Sequence, residues 1–432
     1  MTDPRYLAVK LLCKTFGSGG YSNIQLDSGL DSSDLDPRGK RFCSALYYGV
    51  IERKITLDSI IDRLSSRPIV RLDQSVLNIL RCGIYQLMYM DNVPDNAAVS
   101  ESVSLAKKFG RTSASGMVNA VLRNFIRQGK KLVLSGTETE RLSVKYSVPT
   151  DMIESLIIDY GAEKAEKQLE LSLEKAPVFL RMNPLKCSEE ELLRGLGDIR
   201  AEKLADCCYS VSGGDVTATE AFAKGYFHVQ DLSSQLCCMG LAPTENDRVL
   251  DICAAPGGKT FTIAELMGGR GKVSAFDLHE NRVKLIRSGA QRLGLGNITA
   301  AAGDASRFDP EMPLFSKILC DVPCSGLGVI RRKPEIKYKS MSDFERLPEI
   351  QFKIAENALN YLEVGGELIY STCTLRKAEN DEVADRLLHA HHELEECPLP
   401  TLLGRDFGSR VTFFHETFSG DGFFIAKFRK IR

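Results

Sequence analysis

Arg248-Val249-Leu250-Asp251-Ile252-Cys253-Ala254-Ala255-Pro256-Gly257-Gly258-Lys259-Thr260 decides how the second half of the chain is read. Its first five residues form a short apolar run of strand length. The small residues and glycines that follow make a turn into a helix reaching about Met267. The same alternation then repeats. Strands are expected at 272–276, 297–302, 317–320 and 367–371, with helices at 280–293, about 345–362 and 377–390. Repeated strand–helix units of this length imply an α/β, doubly wound, Rossmann-like parallel sheet covered on both faces. A last strand at 422–428 is expected to pair with 411–414 as an antiparallel edge hairpin.

Toward the amino terminus the period changes. Residues 1–130 read as helical throughout: Tyr6-Leu7, Leu11-Leu12 and Phe16 share one helical face, as do Val76, Ile79-Leu80, Ile84 and Leu87-Met88. Further helices are expected at 40–65, 97–109 and 114–128. They are separated by Gly17-Ser18-Gly19-Gly20, Asp36-Pro37, Pro68 and Val93-Pro94-Asp95. The polar stretch Ser135-Gly136-Thr137-Glu138 is the expected linker. Residues 145–240 are mixed, with a helical pattern over 150–174 and a short strand begun by Val178-Phe179-Leu180. Ser188-Glu189-Glu190-Glu191 looks like a capped helix start, and strands are expected around 208–212 and 226–229. Three domains result: an all-α domain at 1–138, a small α+β connecting domain at 139–240, and the α/β domain at 241–432.

Composition narrows the class. Of 432 residues, 43% are hydrophobic and 26% charged, as in ordinary globular proteins. No run approaches the roughly 18–20 apolar residues of a membrane span. The opening Met1-Thr2-Asp3-Pro4-Arg5 carries an acid and lacks a signal peptide's apolar core, so a cytoplasmic protein is expected. The 13 cysteines, including Cys207-Cys208 and Cys237-Cys238, show no zinc-type C-x2-C and read as free thiols in a reducing compartment. Net charge is −1, but residues 1–140 hold 19 Lys+Arg against 14 Asp+Glu, a balance of +5, and the remainder 37 against 43, a balance of −6. A basic amino-terminal part on an acidic body is compatible with a polyanion-binding module.

Two readings of the Gly-rich turn compete. Gly258-Lys259-Thr260 is the tail of a phosphate-binding loop, but that motif's first glycine would fall at Cys253. The other reading rests on acids. Asp277 ends the second strand, Asp304 follows the third and Asp321 ends the fourth. A carboxylate ending the second strand binds a ribose diol in dinucleotide folds, and one beyond the third suits an adenine amino group. Three acids at successive strand ends repel phosphates and suit a cationic sulfonium. Each alone would be an ordinary helix cap.

Asp321-Val322-Pro323-Cys324-Ser325-Gly326-Leu327-Gly328 follows the fourth strand, and Ser371-Thr372-Cys373-Thr374 ends the fifth. A lone cysteine there would be a small buried residue. Two, beside a carboxylate and a cofactor turn, suggest covalent chemistry. The combination of DxCAAPGGKT, DxPCSGxGVIRRKPEIK and YSTCT-x4-EN resembles the Sun/NOP family of RNA 5-methylcytosine methyltransferases. Asn119-Ala120-Val121-Leu122-Arg123-Asn124, Arg181-Met182-Asn183-Pro184 and Gln230-Asp231-Leu232-Ser233-Ser234 extend the match over nearly the whole chain.

The resemblance implies a NusB-like RNA-binding domain at the amino terminus, S-adenosyl-L-methionine as cofactor, and 16S rRNA, naked or in an early small-subunit assembly, as partner. The implied target is a cytosine at 16S position 967. It also implies that Cys253, Ala254, Ala255, Pro256, Gly257, Gly258 and Lys259 line the cofactor, with Asp277, Asp304 and Asp321 as further cofactor or ring contacts. Cys373 would be the nucleophile and Cys324 would assist product release. DNA cytosine methyltransferases use the Pro-Cys cysteine instead, here Cys324, and the presence of both favours the RNA type. The chemistry needs a thiolate because C5 is a poor nucleophile until addition at C6 makes it enamine-like. The target base must also leave its stack.

Arg331-Arg332-Lys333 with Lys337 and Lys339 form a basic run after the catalytic loop, where an RNA backbone is expected to pass. Lys107-Lys108, Arg111, Arg123 and Arg127 are further candidates for phosphate contact. His389, His391 and His392 read as solvated, and no metal, no membrane and a monomer are expected. The alternatives are a relative acting on tRNA or another rRNA, and a binding module with a vestigial catalytic domain.

Overall fold

The computed structural model describes residues 3–18 and 22–432. The readings placed on Met1-Thr2 and on Gly19-Gly20 lie outside the described residues. The chain divides into two compact units, one running to Glu174 and including Ile330–Lys339, the other comprising Lys175–Val329 and Ser340–Arg432.

In the helical unit the apolar faces read from the sequence meet. Leu7, Leu11 and Leu12 of Pro4–Ser18 and Val76, Ile79, Leu80, Ile84 and Leu87 of Gln74–Tyr89 are buried in one core. Asp36 caps Pro37–Glu52 by accepting from Gly39 N at 2.7 Å, with Pro37 at the first helical position. The helix expected at 40–65 is two, Pro37–Glu52 and Lys54–Leu64, and Ser22–Asp31 is an additional helix.

The expected linker at 135–138 is a helix start. Thr137 and Glu140 form a reciprocal capping box that opens Glu138–Tyr146. That helix is tied to the preceding ones by Thr56 Oγ1 donating to Val144 O at 2.6 Å and Ile55 N donating to Ser147 Oγ at 2.9 Å. The helical unit therefore continues well past the boundary expected at 138. The pattern over 150–174 resolves into Thr150–Tyr160 and Ala162–Leu171.

The second unit opens with a four-stranded antiparallel sheet: β1 (Val178–Met182), β2 (Arg200–Ala205), β3 (Cys208–Ser212) and β4 (Phe227–Val229), in the order β2-β3-β1-β4. The large sheet contains β5 (Arg248–Asp251), β6 (Lys272–Asp277), β7 (Ile298–Ala302), β8 (Phe315–Asp321), β9 (Leu362–Thr372), β10 (Leu394–Glu396), β11 (Arg410–Phe413) and β12 (Phe423–Lys430). Its order is β10-β12-β9-β8-β5-β6-β7, with β11 paired to β12. The strands from β9 to β7 run parallel, and β12 lies antiparallel beside β9.

Successive residues on a strand point to opposite faces, so a sheet covered on both sides needs apolar residues at every position. Val249, Leu319 and Ile369 pack with Leu236, Ile263 and Ile286 on one face. Leu250, Ile318, Leu368 and Tyr370 pack with Phe352, Ala355 and Leu387 on the other. Both layers are continuous, and the site lies at the carboxyl ends of β5–β9.

Candidate active site

Gly257 initiates the helix Gly258–Leu266 with φ +113°, and a Cβ there would lie 2.4 Å from the Phe261 ring. The position accepts only glycine without rearrangement. Thr260 Oγ1, one turn into the helix, donates to Asp251 Oδ2 at 2.6 Å and so ties the helix back to the end of β5.

Two cavities flank this turn. One, of about 200 Å³, is lined by Gln230, Ser234, Asp251, residues 253–256, Gly258, Lys259 and Asp321. In it, Asp251 Oδ1 and Gln230 Nε2 are buried without a hydrogen-bond partner among the described residues. Unsatisfied buried polar atoms are costly, so their presence at a cavity wall points to a polar ligand. Burial pushes the Asp251 carboxyl up to about 7. Lys259 Nζ donates to Asp321 Oδ2 at 2.7 Å. Burial alone would depress that ammonium, but Asp321 carries it above the ordinary lysine range.

The second cavity, of about 210 Å³, is lined by Ile252, Phe276, Asp304, Ala305, Phe308 and Tyr361 among others. Phe308 and Tyr361 stack there with centroids 5.5 Å apart. Asp304 accepts from Ser306 N and Oγ, which hold its carboxyl below the usual range. Asp277 lines neither cavity. Its carboxylate pairs with Arg282 at 3.0 Å and accepts from Ala255 N at 3.3 Å.

The register of β8 on β9 brings the cysteines together. Asp321 pairs with Ser371, so Cys324 stands three residues beyond one partner and Cys373 two beyond the other. Their sulfurs are 3.2 Å apart, and both side chains are half-buried. The Cys324 thiol is held well above its ordinary range, first by its contact with Cys373 and then by burial. Cys324 thus keeps its proton beside the Cys373 sulfur.

Buried side chains fix the two loops. Glu379 is fully buried and accepts from Ser325 N at 2.8 Å and Gln351 Nε2 at 2.9 Å, while pairing with Arg376 at 3.0 Å. Ser325 Oγ meets Thr374 Oγ1 at 2.7 Å, and Asn380 Nδ2 donates to Thr374 O at 3.0 Å. Gly328 N donates to Cys373 O at 3.0 Å. A Cβ on Gly328 would lie 2.0 Å from Gly422 O, so glycine is required for this closeness. Asp321 is held on both oxygens, by Lys259 and by Ser371 Oγ at 3.0 Å.

Residues 238–429 match the family described as 16S rRNA methyltransferase RsmB/F, and residues 2–127 match the NusB family. A protein of Bacillus subtilis named probable ribosomal RNA small subunit methyltransferase B is 37% identical, with 99% of each chain covered. The chain belongs to the RsmB/F family. Ribosomal RNA small subunit methyltransferase B of Escherichia coli is 32% identical over 92% of each chain. Among solved structures, PH0851 superposes with a TM-score of 0.83 at 22% identity, covering 100% of this chain and 99% of that one. A methyltransferase homologue from Pyrococcus horikoshii gives 0.59 at 27% identity, covering 68% of this chain and all of that one.

Against this RsmB/F framework, the expected basic surface is redistributed. Lys337 is fully buried within the helical unit, its ammonium donating to Glu52 O at 3.0 Å and pushed down to about 7 by burial. It presents no charge to a phosphate, which corrects its expected role. Tyr338 OH anchors the same segment by donating to Ile51 O at 2.6 Å. Arg331 and Arg332 are half-buried and Lys333 is exposed. Lys108 pairs with Asp3 and Arg111 with Asp73, both at 2.8 Å, while Arg123 and Arg127 bond Asn119 and Asn124. His391 is bridged to Glu393 at 3.0 Å and Glu356 at 3.4 Å instead of being solvated.

The sequence reading missed Asp251, Gln230, Ser234 and Glu379 as site residues. Asp251 ends a strand as Asp277 and Asp321 do, and that signal was available. Gln230 and Glu379 sit in quoted motifs, but nothing local marks their burial. The motif Arg181 with Gln230 proves to be one buried chain: Arg181 to Glu265, Glu265 to His228, His228 to Thr262, and Thr262 Oγ1 to Gln230 Oε1 at 2.6 Å.

Proposed function

We propose that the chain transfers a methyl group from S-adenosylmethionine to C5 of a cytosine in 16S rRNA, with Cys373 as nucleophile. The observation that carries the reading is the Cys324–Cys373 pair, 3.2 Å apart beside an acid-lined cavity at the ends of parallel strands. The family match and the full-length relatives named as small-subunit rRNA methyltransferases support the substrate class. The finer target, cytosine 967, rests on the resemblance.

The residues present fit the cofactor. Asp251 and Gln230 offer an acceptor and a donor without partners, suited to the ammonium and carboxylate of a methionine end. The cavity with Asp304 and the Phe308–Tyr361 stack suits an adenine. When bound, S-adenosylmethionine supplies an electrophilic methyl group. The Cys373 thiolate would add to C6 and move the C5–C6 π pair to C5, which would take the methyl carbon as the C–S bond pair leaves with the cofactor sulfur as a neutral thioether. We assign to Asp321, which accepts from Lys259 and Ser371, a hydrogen bond from the cytosine amino group that orients the ring. Transfer of the C5 proton to solvent water would then restore the C5–C6 double bond as the C6–S bond pair returns to Cys373 as thiolate. Cys324, protonated beside Cys373, assists this release.

The test is incubation with labelled S-adenosylmethionine and unmodified 16S rRNA, with Cys373→Ala and Cys324→Ala in parallel. Cys373→Ala is expected to fall to background in methylation and to form no adduct. Cys324→Ala is expected to accumulate a denaturant-stable protein–RNA adduct. Full methylation by Cys373→Ala would remove it from the nucleophile's role.

A further inference from the structure

We propose that Thr262 is a positioning residue for cofactor recognition: its hydroxyl turns the Gln230 amide so that the Nε2 donor, and not the carbonyl, meets the methionine carboxylate. This rests on the reading above that S-adenosylmethionine is the cofactor. Gln230 borders the cavity of about 200 Å³ together with Gly258 and Lys259, and its Nε2 has no hydrogen-bond partner among the described residues. A side-chain amide has a donor end and an acceptor end of nearly one shape, so its neighbours decide which end a ligand meets.

The deciding neighbour is Thr262, which lies one turn into Gly258–Leu266 and is fully buried. Its Oγ1 donates to Gln230 Oε1 at 2.6 Å. That separation is ordinary for O–H···O and short for N–H···O, so the carbonyl is the end held against the hydroxyl. Gly258 O, another acceptor for Thr262 Oγ1, is farther at 3.2 Å. The nitrogen end is thereby left beside the cavity. Gly258 has no side chain to cover it, and a Cβ there would touch Nε2 at 3.8 Å.

The hydroxyl is itself held from behind. With its single proton given to Gln230, Thr262 Oγ1 accepts from His228 Nε2 at 3.3 Å, which places a ring proton on that nitrogen. His228 Nδ1 lies 3.4 Å from Glu265 Oε1, and Arg181 Nε donates to Glu265 Oε2 at 3.3 Å. The imidazole also packs edge-on against Phe261, with centroids 5.7 Å apart and an interplanar angle of 82°. Arg181, His228, Gln230 and Glu265 are all buried. A buried ion pair adds little to stability once its desolvation is counted. This one backs a line of contacts that ends at an amide nitrogen left open beside the cavity.

The experiment titrates the full chain by calorimetry with S-adenosylmethionine and with its decarboxylated analogue, which keeps the sulfonium and the amine but lacks the carboxylate. The wild type should bind S-adenosylmethionine the more tightly. Thr262→Val should weaken S-adenosylmethionine roughly tenfold, the scale of one hydrogen bond to a charged group, and leave the analogue within about twofold. Thr262→Ser should restore the preference. Gln230→Met, which keeps the bulk and removes the donor, should lose the preference as well. Thr262→Val/Gln230→Met should then be no weaker than Gln230→Met alone, because Thr262 acts through Gln230. An unchanged binding stoichiometry shows that each variant is folded. Equal weakening of both ligands by Thr262→Val makes Thr262 a support of its helix and overturns the inference. A wild-type preference kept by Thr262→Val overturns it too. Should Thr262→Val not fold, the same preference kept by Gln230→Met overturns it instead. A wild type that binds both ligands equally overturns the inference and leaves the cofactor reading intact, and one that binds neither overturns both.

Discussion

Asp251 carries a charge that burial works against, and its titration reports on the site. Its carboxyl sits at about 7 in the fold, against an ordinary value of 3.8. The folded chain therefore holds that proton more tightly than the unfolded chain. Its contribution to stability is present below the ordinary carboxylate range and lost as pH rises through about 7, a swing of about 4 kcal/mol at most. A methionine ammonium would select the ionised form. Cofactor affinity, followed by calorimetry, should then rise close to tenfold per unit between about pH 5.5 and pH 7. Asp251→Asn should flatten that profile; a flat profile in the wild type would remove Asp251 from cofactor recognition. At this scale the sequence was generous with cysteines and poor with their supports. Cys324 and Cys373 announce themselves by standing at strand ends. Glu379 looks like any acid before a helix, and only the structure shows it fully buried against Ser325, Gln351 and Arg376.

The element that matters most for geometry is the loop from Asp321 to Gly328, held against the end of β9. Gly328 N reaches Cys373 O, Gly328 O accepts from Gly422 N at 2.9 Å, and no side chain fits between them. Gly328→Ala is expected to destabilise the fold by about 1–3 kcal/mol, the usual cost of overpacking. It should lower the rate of methyl transfer while cofactor affinity stays near wild type, checked by thermal melts and single-turnover rates. Full activity with wild-type melting would show that the cysteines need no such clamp. The strands of the parallel sheet were legible because each is a largely apolar run with an acid or a cysteine at its end or within two residues beyond it. β2 was not, since Arg200–Ala205 is a polar, largely exposed edge without alternation. β10 has only three residues. The break between Pro37–Glu52 and Lys54–Leu64 was hidden because no glycine or proline marks Arg53.

Over the whole molecule, the chain order does not map simply onto compact units. Residues 330–339 leave the catalytic half of the sequence and belong to the helical unit, where Pro334, Ile336 and Lys337 are buried. A run of lysines and arginines reads as solvated or as an RNA contact, and nothing local marks Lys337 as interior. The helices of Glu138–Leu171 were likewise assigned away from the unit that holds them, because their polar entry at 135–138 resembles a linker until its capping box is seen. Among the described residues, no helix is long and apolar enough to cross a membrane. The most direct test of the central claim is to give the full-length protein labelled S-adenosylmethionine and unmodified small-subunit rRNA, digest the RNA, and identify the labelled nucleoside. The account requires 5-methylcytidine at a single site. Label in any other nucleoside, or none in rRNA under conditions where the cofactor binds, would contradict it.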